Sequence, residues 1–284
     1  MGLKLRLANH LLCFVTPLVT GCVLATSPSL AATLASSGAR LTIDNFSHNP
    51  QKVKTLTDTD TFTIALSDGS VTAEANANSI AKFDPSEPPT RFSNFSWSET
   101  SGEGNNYFGL AQSQAGVIAY DFLVRKDETF SFDFNGFLGL ATSIDEPQSE
   151  TASAAGELSF QLYDSNSGSL LDNFTLAGNL TTPGRGDFLD IENSTNITFN
   201  PSETSFERSF GGRQEAANAS INGQFSRIFD SLTALTLVEV KTNQASVQVP
   251  EPGNIIEEIL WFCLIGVGFA VRSKVFKAKS KITH

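Results

Sequence analysis

Apolar and polar residues alternate with a period of two along much of the chain, and this feature limits the fold more than any other. The segments 62–66, 130–134 and 158–162 carry Phe, Ile or Leu at every second position. Such alternation is typical of β-strands with one buried face. The same character marks five further candidate strands, at 92–97, 117–124, 171–176, 205–210 and 232–240. The sequence therefore predicts an all-β domain.

Turn-forming residues separate these segments. We expect tight turns at four places, Ser67-Asp68-Gly69, Asn135-Gly136, Asp164-Ser165-Asn166-Ser167-Gly168 and Asn222-Gly223. The three prolines between Asp84 and Thr90 predict an irregular loop, and the Ser-, Ala- and acid-rich stretch from Ala141 to Gly156 predicts a long exposed loop. Short strands joined in this way favour a single antiparallel β-sandwich or jelly roll spanning residues 32–249.

The N-terminus, residues 1–31, has the pattern of a secretory signal peptide. Lys4 and Arg6 precede an apolar run from Leu11 to Leu24, and Ser29-Leu30-Ala31 then offers small residues at the exit. This order of charge, apolar run and small residues predicts cleavage after Ala31. An alternative is open, because Val19-Thr20-Gly21-Cys22 resembles a lipobox, in which the cysteine is lipidated.

The central domain contains no cysteine and one histidine. Cys13, Cys22 and Cys263 all lie in the terminal segments. We therefore expect no disulfide, thiol catalysis or cysteine-ligated metal between residues 32 and 249. A Ser-His-Asp site would have to use His48, which stands beside Asn49-Pro50 and is expected to be a solvated loop residue.

The charge of the central domain excludes one class of partner. Between residues 32 and 249, 5 Lys and 7 Arg oppose 14 Asp and 13 Glu, which gives a formal charge of −15. Nucleic-acid affinity depends on basic side chains that replace counterions along the phosphate backbone. We therefore expect no nucleic-acid binding.

The C-terminus, residues 250–284, has three parts. Pro250-Glu251-Pro252 comes first, the 13-residue apolar run Ile259–Val271 follows, and five cations close the chain. An apolar helix of this length spans only about 20 Å, against about 30 Å for a hydrocarbon core. We expect a short transmembrane helix whose flanking Glu257-Glu258 or Arg272 reach the interfaces. The basic tail predicts that the C-terminus faces the cytoplasm.

These three parts resemble the PEP-CTERM sorting signal of Gram-negative bacteria, including cyanobacteria. The resemblance covers about the last 35 residues, with the motif at Pro250, Glu251 and Pro252. It implies recognition by an exosortase-type processing enzyme. It also implies an inner-membrane anchor before processing, and then the cell surface or the extracellular space, in association with exopolysaccharide or biofilm. The Glu257-Glu258 pair departs from the usual apolar helix of the family.

Candidate chemistry inside the domain is sparse. The stretch Asp164–Gly168 resembles the start of a calcium loop, but Thr175 stands where such a loop places glutamate, so a hairpin turn is favoured. Calcium is the one cofactor left open, and no metal ligand is assigned. The densest acidic cluster consists of Asp187, Asp190 and Glu192, and no catalytic pair is assigned to it. Flat rings that could stack on sugars are Trp97, Tyr107, Tyr120 and Tyr163, although their alternation equally suits packing.

Three functions remain from these patterns. We expect a non-enzymatic, exported surface or matrix protein associated with extracellular polysaccharide. The alternative is a lectin-like carbohydrate-binding module. A glycoside hydrolase is the third and least favoured, because it needs two facing carboxylates in a cleft.

Overall fold

A computed structural model describes residues 32–66, 69–82 and 90–249, and the domain it shows is all-β. The strands in chain order are β1 (Ala32–Asp44), β2 (Lys52–Ala65), β3 (Gly69–Lys82), β4 (Arg91–Gly104), β5 (Tyr107–Val124), β6 (Thr129–Ser143), β7 (Thr151–Asp164), β8 (Leu170–Thr182), β9 (Phe188–Asn193), β10 (Ile197–Phe199), β11 (Ser205–Ser209), β12 (Gln214–Ile228) and β13 (Thr233–Val249). The predicted signal peptide and sorting segment lie outside the described residues, as does most of the proline-rich stretch at 84–90.

The described strands form two antiparallel sheets that pack face to face. Sheet A has the order β10-β12-β6-β1-β4-β3, with β11 also paired to β12. Sheet B has the order β2-β5-β13-β7-β8-β9. The predicted all-β class is therefore confirmed, and the two sheets make a β-sandwich-like domain. Each of the eight predicted strand segments falls largely within one strand.

Two predicted turns are wrong, because Asn135-Gly136 lies inside β6 and Asn222-Gly223 lies inside β12. Both glycines face the core, where a larger side chain would collide with a neighbour. A Cβ at Gly136 would meet the side chain of Ile221 at 3.0 Å, and one at Gly223 would overlap the ring of Phe134. These glycines therefore give room to the core rather than reversing the chain.

The predicted long loop from Ala141 to Gly156 is also wrong. Strand β6 continues to Ser143 and β7 begins at Thr151, so only seven residues connect them. The connection is anchored rather than fully exposed, since Ile144 and Glu150 are buried. The Glu150 carboxylate accepts the backbone N–H of Asp145 at 2.7 Å, which closes the bend. The stretch Ala141–Gly156 is rich in small residues, and this composition resembles that of a loop although most of the stretch lies in strands.

The sandwich interior divides into an apolar and a polar part. Phenylalanine dominates the apolar part, where Phe132, Phe134, Phe160 and Phe174 are buried and their rings contact one another with centroids about 5 Å apart. Edge-on, tilted and stacked pairs of this kind add to the stabilisation from burial. The polar part lies where β1 and β4 face β13, and it includes Ser37, which donates to Asn243 across the two sheets at 2.7 Å.

Candidate functional site

The predicted cleavage and sorting residues lie outside the described part of the fold. Ala31 precedes the first described residue, and Pro250, Glu251 and Pro252 follow the last one. The described chain ends at Val249, which pairs with Tyr107 in sheet B.

The structure separates the four aromatic candidates. Tyr107 is fully buried and cannot contact a ligand. Tyr120 and Tyr163 are half-buried, and Tyr163 donates to the side-chain oxygen of Gln161. Trp97 is the informative case, because it lies half-buried on the outer, solvent-facing side of sheet A. Its ring leans over Gly38 of the neighbouring strand, where a Cβ would stand 3.3 Å from the indole Cδ1.

Further rings accompany Trp97 on the same side of sheet A. One residue row across β4, β1 and β6 consists of Phe95, Arg40 and Phe137, since Arg40 pairs with both phenylalanines. Phe95 is 40% exposed, and Phe137 lies against Gly139 in the next row. We call Trp97, Phe95, Arg40 and Phe137 the aromatic patch. Gly38 and Gly139 lie beside the patch and carry no side chain, so the rings project beyond the backbone around them.

A polar hollow of about 510 Å³ adjoins the aromatic patch. Its floor is two residue rows of sheet A, in which Asp44, Asp133 and Gln224 pair in one row and Asn135 and Asn222 in the next. The row of Asn135 directly precedes that of Phe137 on β6, so patch and hollow share one face. The hollow's lining residues are Asp44, Asn45, Asp133, Asn135, Thr198, Phe199, Asn200, Asn222, Gly223 and Gln224.

Hydrogen bonds fix the side chains of the polar hollow. Asn45 and Gln224 donate their amide N–H groups to the two carboxylate oxygens of Asp133, at 2.8 and 3.0 Å. Asn222 donates to the amide oxygen of Asn135 at 2.7 Å. Since a side-chain amide carries two donor hydrogens and an acceptor oxygen, this surface can donate to hydroxyl groups and accept from them.

The carboxylates of the hollow are unequal. Burial raises the pKa of Asp44, the guanidinium of Arg91 at 3.9 Å opposes that rise, and the carboxylate of Asp133 adds to it. Asp133, in contrast, has both oxygens held by amides. An arrangement in which one acid is tied down by hydrogen bonds suits recognition of polar groups better than proton transfer.

The one histidine of the domain belongs to a hydrogen-bonded chain in the loop between β1 and β2. His48 Nδ1 lies 2.9 Å from Ser47 Oγ, and its Nε2 lies 3.2 Å from a carboxylate oxygen of Glu128. The pKa of Glu128 is lowered, first by the backbone N–H of Arg125 and then by His48. Ser47 Oγ also bonds the backbone of Thr129 and Ser131, so it fastens the loop to β6 and is not poised as a nucleophile.

The remaining acidic candidates serve the backbone or face solvent. Asp187 accepts the N–H of Thr181 at 2.8 Å, whereas Asp190 and Glu192 are exposed on the short strand β9. The predicted turn at Asp164–Gly168 is confirmed, and the Asp164 carboxylate accepts the N–H groups of Asn166 and Ser167. These contacts close the hairpin turn.

Two kinds of feature are absent from the described part of the chain. No group of three or more His, Cys, Asp or Glu side chains in residues 32–66, 69–82 and 90–249 is arranged to hold a metal ion. Within the same ranges, no helix is sufficiently long and apolar to cross a membrane.

Sequence reasoning missed most of this face. The sequence pattern gives no sign of a site at Arg40, Asn135, Phe137 or Asn222, and it predicts turns at the two asparagines. The available signal was the register: once β6 and β12 are continuous strands, alternation brings these side chains to the outer face of sheet A.

Comparison with known proteins gives no further guide to this face. The chain matches no family model, no curated protein and no solved structure, so its function has to be inferred from the geometry described above.

Proposed function

We propose that this chain is an exported, non-enzymatic surface or matrix protein that binds extracellular polysaccharide on the outer face of sheet A. The observation that carries the proposal is the shared face of the aromatic patch and the polar hollow. Flat rings and hydrogen-bonding amides lie side by side there, across four neighbouring strands.

The two parts of this face match the two kinds of surface on a sugar ring, its apolar C–H faces and its hydroxyl edges. The C–H faces of pyranoses are apolar and stack on aromatic side chains, while their hydroxyl edges need both donors and acceptors. The aromatic patch offers Trp97 and Phe95 for stacking, and exposed apolar groups collected on one surface often mark interaction sites. The polar hollow offers Asn135 and Asn222 for the hydroxyls. Because the face is open and extended, it favours a polymer over an isolated monosaccharide.

The proposal includes delivery through both ends of the chain. The pattern of residues 1–31 supports export with cleavage after Ala31. The segment 250–284 supports exosortase-dependent sorting at Pro250-Glu251-Pro252 from an inner-membrane intermediate, with the short apolar run as the anchor. A bacterial matrix or cell-surface location brings the domain to its proposed ligand.

Binding is tested with the full chain against a panel of bacterial exopolysaccharides, by affinity electrophoresis and calorimetry. We expect Trp97→Ala and Asn135→Ala each to weaken binding at least about tenfold, a loss of about 1.4 kcal/mol. Phe206→Ala is the matched control, since Phe206 is also an aromatic residue about 40% exposed but lies on β11, away from the patch. Equal binding by all four proteins, or binding by none of them, would contradict the proposal.

Delivery is tested by fractionating cells that produce the full chain with an internal tag. We expect the wild type at the surface or in the medium, without its two ends. A Pro250/Glu251/Pro252→Ala variant should instead stay in the inner membrane with its basic tail. If both proteins behave identically, the proposal of exosortase sorting is wrong. The proposal of polysaccharide binding is tested separately, by the binding experiment.

A further inference from the structure

Three polar side chains meet in the interior of the sandwich, between the two sheets. Asn94 projects inward from β4 of sheet A, and Glu239 and Lys241 project inward from β13 of sheet B. All three are buried, with 3%, 1% and 0% of their surface exposed. A fully buried lysine is rare, and a buried charge is costly unless it is paired and hydrogen-bonded. We call these residues the buried triad.

The contacts within the buried triad form a closed ring. Lys241 Nζ contacts both the amide oxygen of Asn94 and the Oε1 atom of Glu239. Asn94 donates its amide Nδ2 to the other carboxyl oxygen, Oε2, of Glu239. The carboxyl group thus touches the amine nitrogen with one oxygen and the amide nitrogen with the other.

Most residues that pair with the buried triad are apolar. The residues paired with Lys241 in sheet B are Ala115 and Leu158, and those paired with Glu239 are Val117 and Phe160. On the opposite sheet Asn94 pairs with Leu41 on one side and with Ser79 on the other. Burial raises the pKa of Glu239 and lowers the pKa of Lys241, in each case against the opposing effect of the partner charge. The environment therefore favours a neutral amine beside a neutral carboxylic acid, and a neutral amine is a nucleophile.

We propose that Lys241 and Asn94 join in an intramolecular isopeptide bond, with Glu239 as the catalytic residue. The amine nitrogen of Lys241 attacks the side-chain carbonyl carbon of Asn94 and forms a new C–N bond. The bond from that carbon to Nδ2 breaks, and its electron pair leaves with the nitrogen as ammonia. One amine and one carboxamide yield one secondary amide and one ammonia, so no oxidant, cofactor or water is required.

Glu239 is placed to move the protons of this reaction. One carboxyl oxygen contacts the attacking nitrogen and the other contacts the departing nitrogen. The carboxyl group can therefore take a proton from the amine and supply one to the leaving group, which is general acid–base catalysis by a single side chain. The fold holds the reacting groups together, so the step needs no encounter between separate molecules.

The proposed bond gives the domain a covalent link between its two layers. It would connect β4 to β13, strands in different sheets whose linked residues are 147 positions apart along the chain. The segment between the predicted ends has no cysteine, so an isopeptide bond would supply the kind of cross-link that disulfides give other exported proteins.

The test is mass spectrometry of the denatured full chain after digestion with trypsin. Without a cross-link, trypsin releases the separate peptides 92–125, which contains Asn94, and 228–241, which ends at Lys241. With the bond, both peptides are missing, and peptide 92–125 stays joined to an uncleaved Lys241 with the loss of one ammonia, about 17 Da. Fragmentation should locate the link at residues 94 and 241. Both peptides at full yield in the wild type would overturn the proposal.

Three variants and one control assign the roles. Asn94→Ala and Lys241→Arg should release the unlinked peptides, and Glu239→Gln should do so while circular dichroism still reports a folded sheet. Asn243→Ala is the control, because Asn243 is a buried amide on the same strand that bonds Ser37 and Ser96 instead. It should keep the cross-link. A bond that forms as completely in Glu239→Gln as in the wild type would overturn the catalytic assignment of Glu239.

Discussion

The phenol hydroxyl of Tyr107 donates a hydrogen bond to Oγ1 of Thr33 at 2.6 Å, and both residues are completely buried. The contact crosses the sandwich, since Tyr107 begins β5 in sheet B and Thr33 belongs to β1 in sheet A. Around it lies a small apolar cluster that includes Ala35 and Val247. The stability of this end of the domain therefore depends on the protonated hydroxyl of Tyr107.

The first prediction concerns the stability of the domain in alkali. Burial raises the pKa of Tyr107 from 10.0 to about 12, with nearby carboxylates adding to the rise and the Thr33 contact opposing it. The unfolded chain releases this proton near pH 10, so the favourable contribution is complete below pH 10 and is lost as the pH rises to about 12. We expect the free energy of unfolding to fall over that window by at most about 2–3 kcal/mol. Urea unfolding at several pH values measures it.

The Tyr107→Phe variant is the control for this effect. It lacks the ionising group, so its stability should change less between pH 10 and pH 12 than that of the wild type. Ultraviolet titration should also lose its highest transition, while Tyr120 and Tyr163 continue to titrate. Loss of an earlier transition, with the highest one retained, would show that Tyr107 is not the last tyrosine to ionise.

The second prediction concerns Gly102, which lies beneath the ring of Tyr107. A Cβ at this position would overlap the ring atoms Cε2 and Cδ2. Because Tyr107 is held by Thr33, the ring cannot move away without losing its hydrogen bond. We expect Gly102→Ala to lower the free energy of unfolding by about 1–3 kcal/mol. In contrast, Ser101→Ala on the opposite side of β4 should change it by no more than about 0.5 kcal/mol.

The third prediction concerns the ion pair between Arg227 and Asp172. Arg227 donates to a carboxylate oxygen of Asp172 at 2.7 Å, and Asp172 is only 2% exposed. Arg227→Met would leave that carboxylate with the amide of Asn196 as its remaining partner among the side-chain contacts described. We expect a loss of about 2–4 kcal/mol in thermal or urea unfolding, because an unpaired buried charge is costly.

An exposed ion pair provides the comparison for Arg227. Arg125 lies 3.7 Å from Glu128, and its side chain is 82% exposed. Exposed pairs of this kind contribute about 0–1 kcal/mol, so Arg125→Met should be nearly neutral. Equal losses for the two variants would mean that burial of Asp172 does not determine the energy of its pair.

The fourth prediction concerns Phe160, at the centre of the phenylalanine cluster. Its ring is fully buried and contacts Phe132, Phe134 and Phe174 at centroid distances of 5.3, 5.1 and 5.2 Å. Truncation removes buried surface and leaves a cavity among rings that cannot collapse into it. We expect Phe160→Ala to cost about 3–5 kcal/mol in urea unfolding. A cost below about 1 kcal/mol would indicate that the cluster repacks.

Alternation in the sequence was enough to predict the class of fold, since every strong period-two segment proved to be a strand. It failed where small residues carry the pattern. Strand β3 places Ala73, Ala75 and Ala77 inward, and alanine gives only a weak hydrophobic contrast with the polar residues between them. The turn prediction at the Asn-Gly pairs is wrong for a different reason. Their glycines are required by neighbouring core side chains that are remote in sequence.

The buried triad could not be predicted from local pattern. Along β13 the residues Val238 and Val240 alternate with Glu239 and Lys241, so hydrophobicity predicts that the valines face inward. The structure has the opposite arrangement, because the inward series runs continuously from Leu235 and Leu237 to Ala245 and Val247. Only a partner on the other sheet, Asn94, makes this arrangement possible, and its position depends on the completed fold.

The central position of β13 has a consequence for when the domain can form. Sheet B is divided without this strand, into the pair β2–β5 and the trio β7–β8–β9. It is also the last of the described strands to leave the ribosome. A nascent chain that ends before Thr233 therefore carries 232 of the 284 residues but lacks a continuous second layer for β1 and β4 to pack against. Sheet B of such a chain stays incomplete until Thr233–Val249 has been made, which would suit the export that we propose.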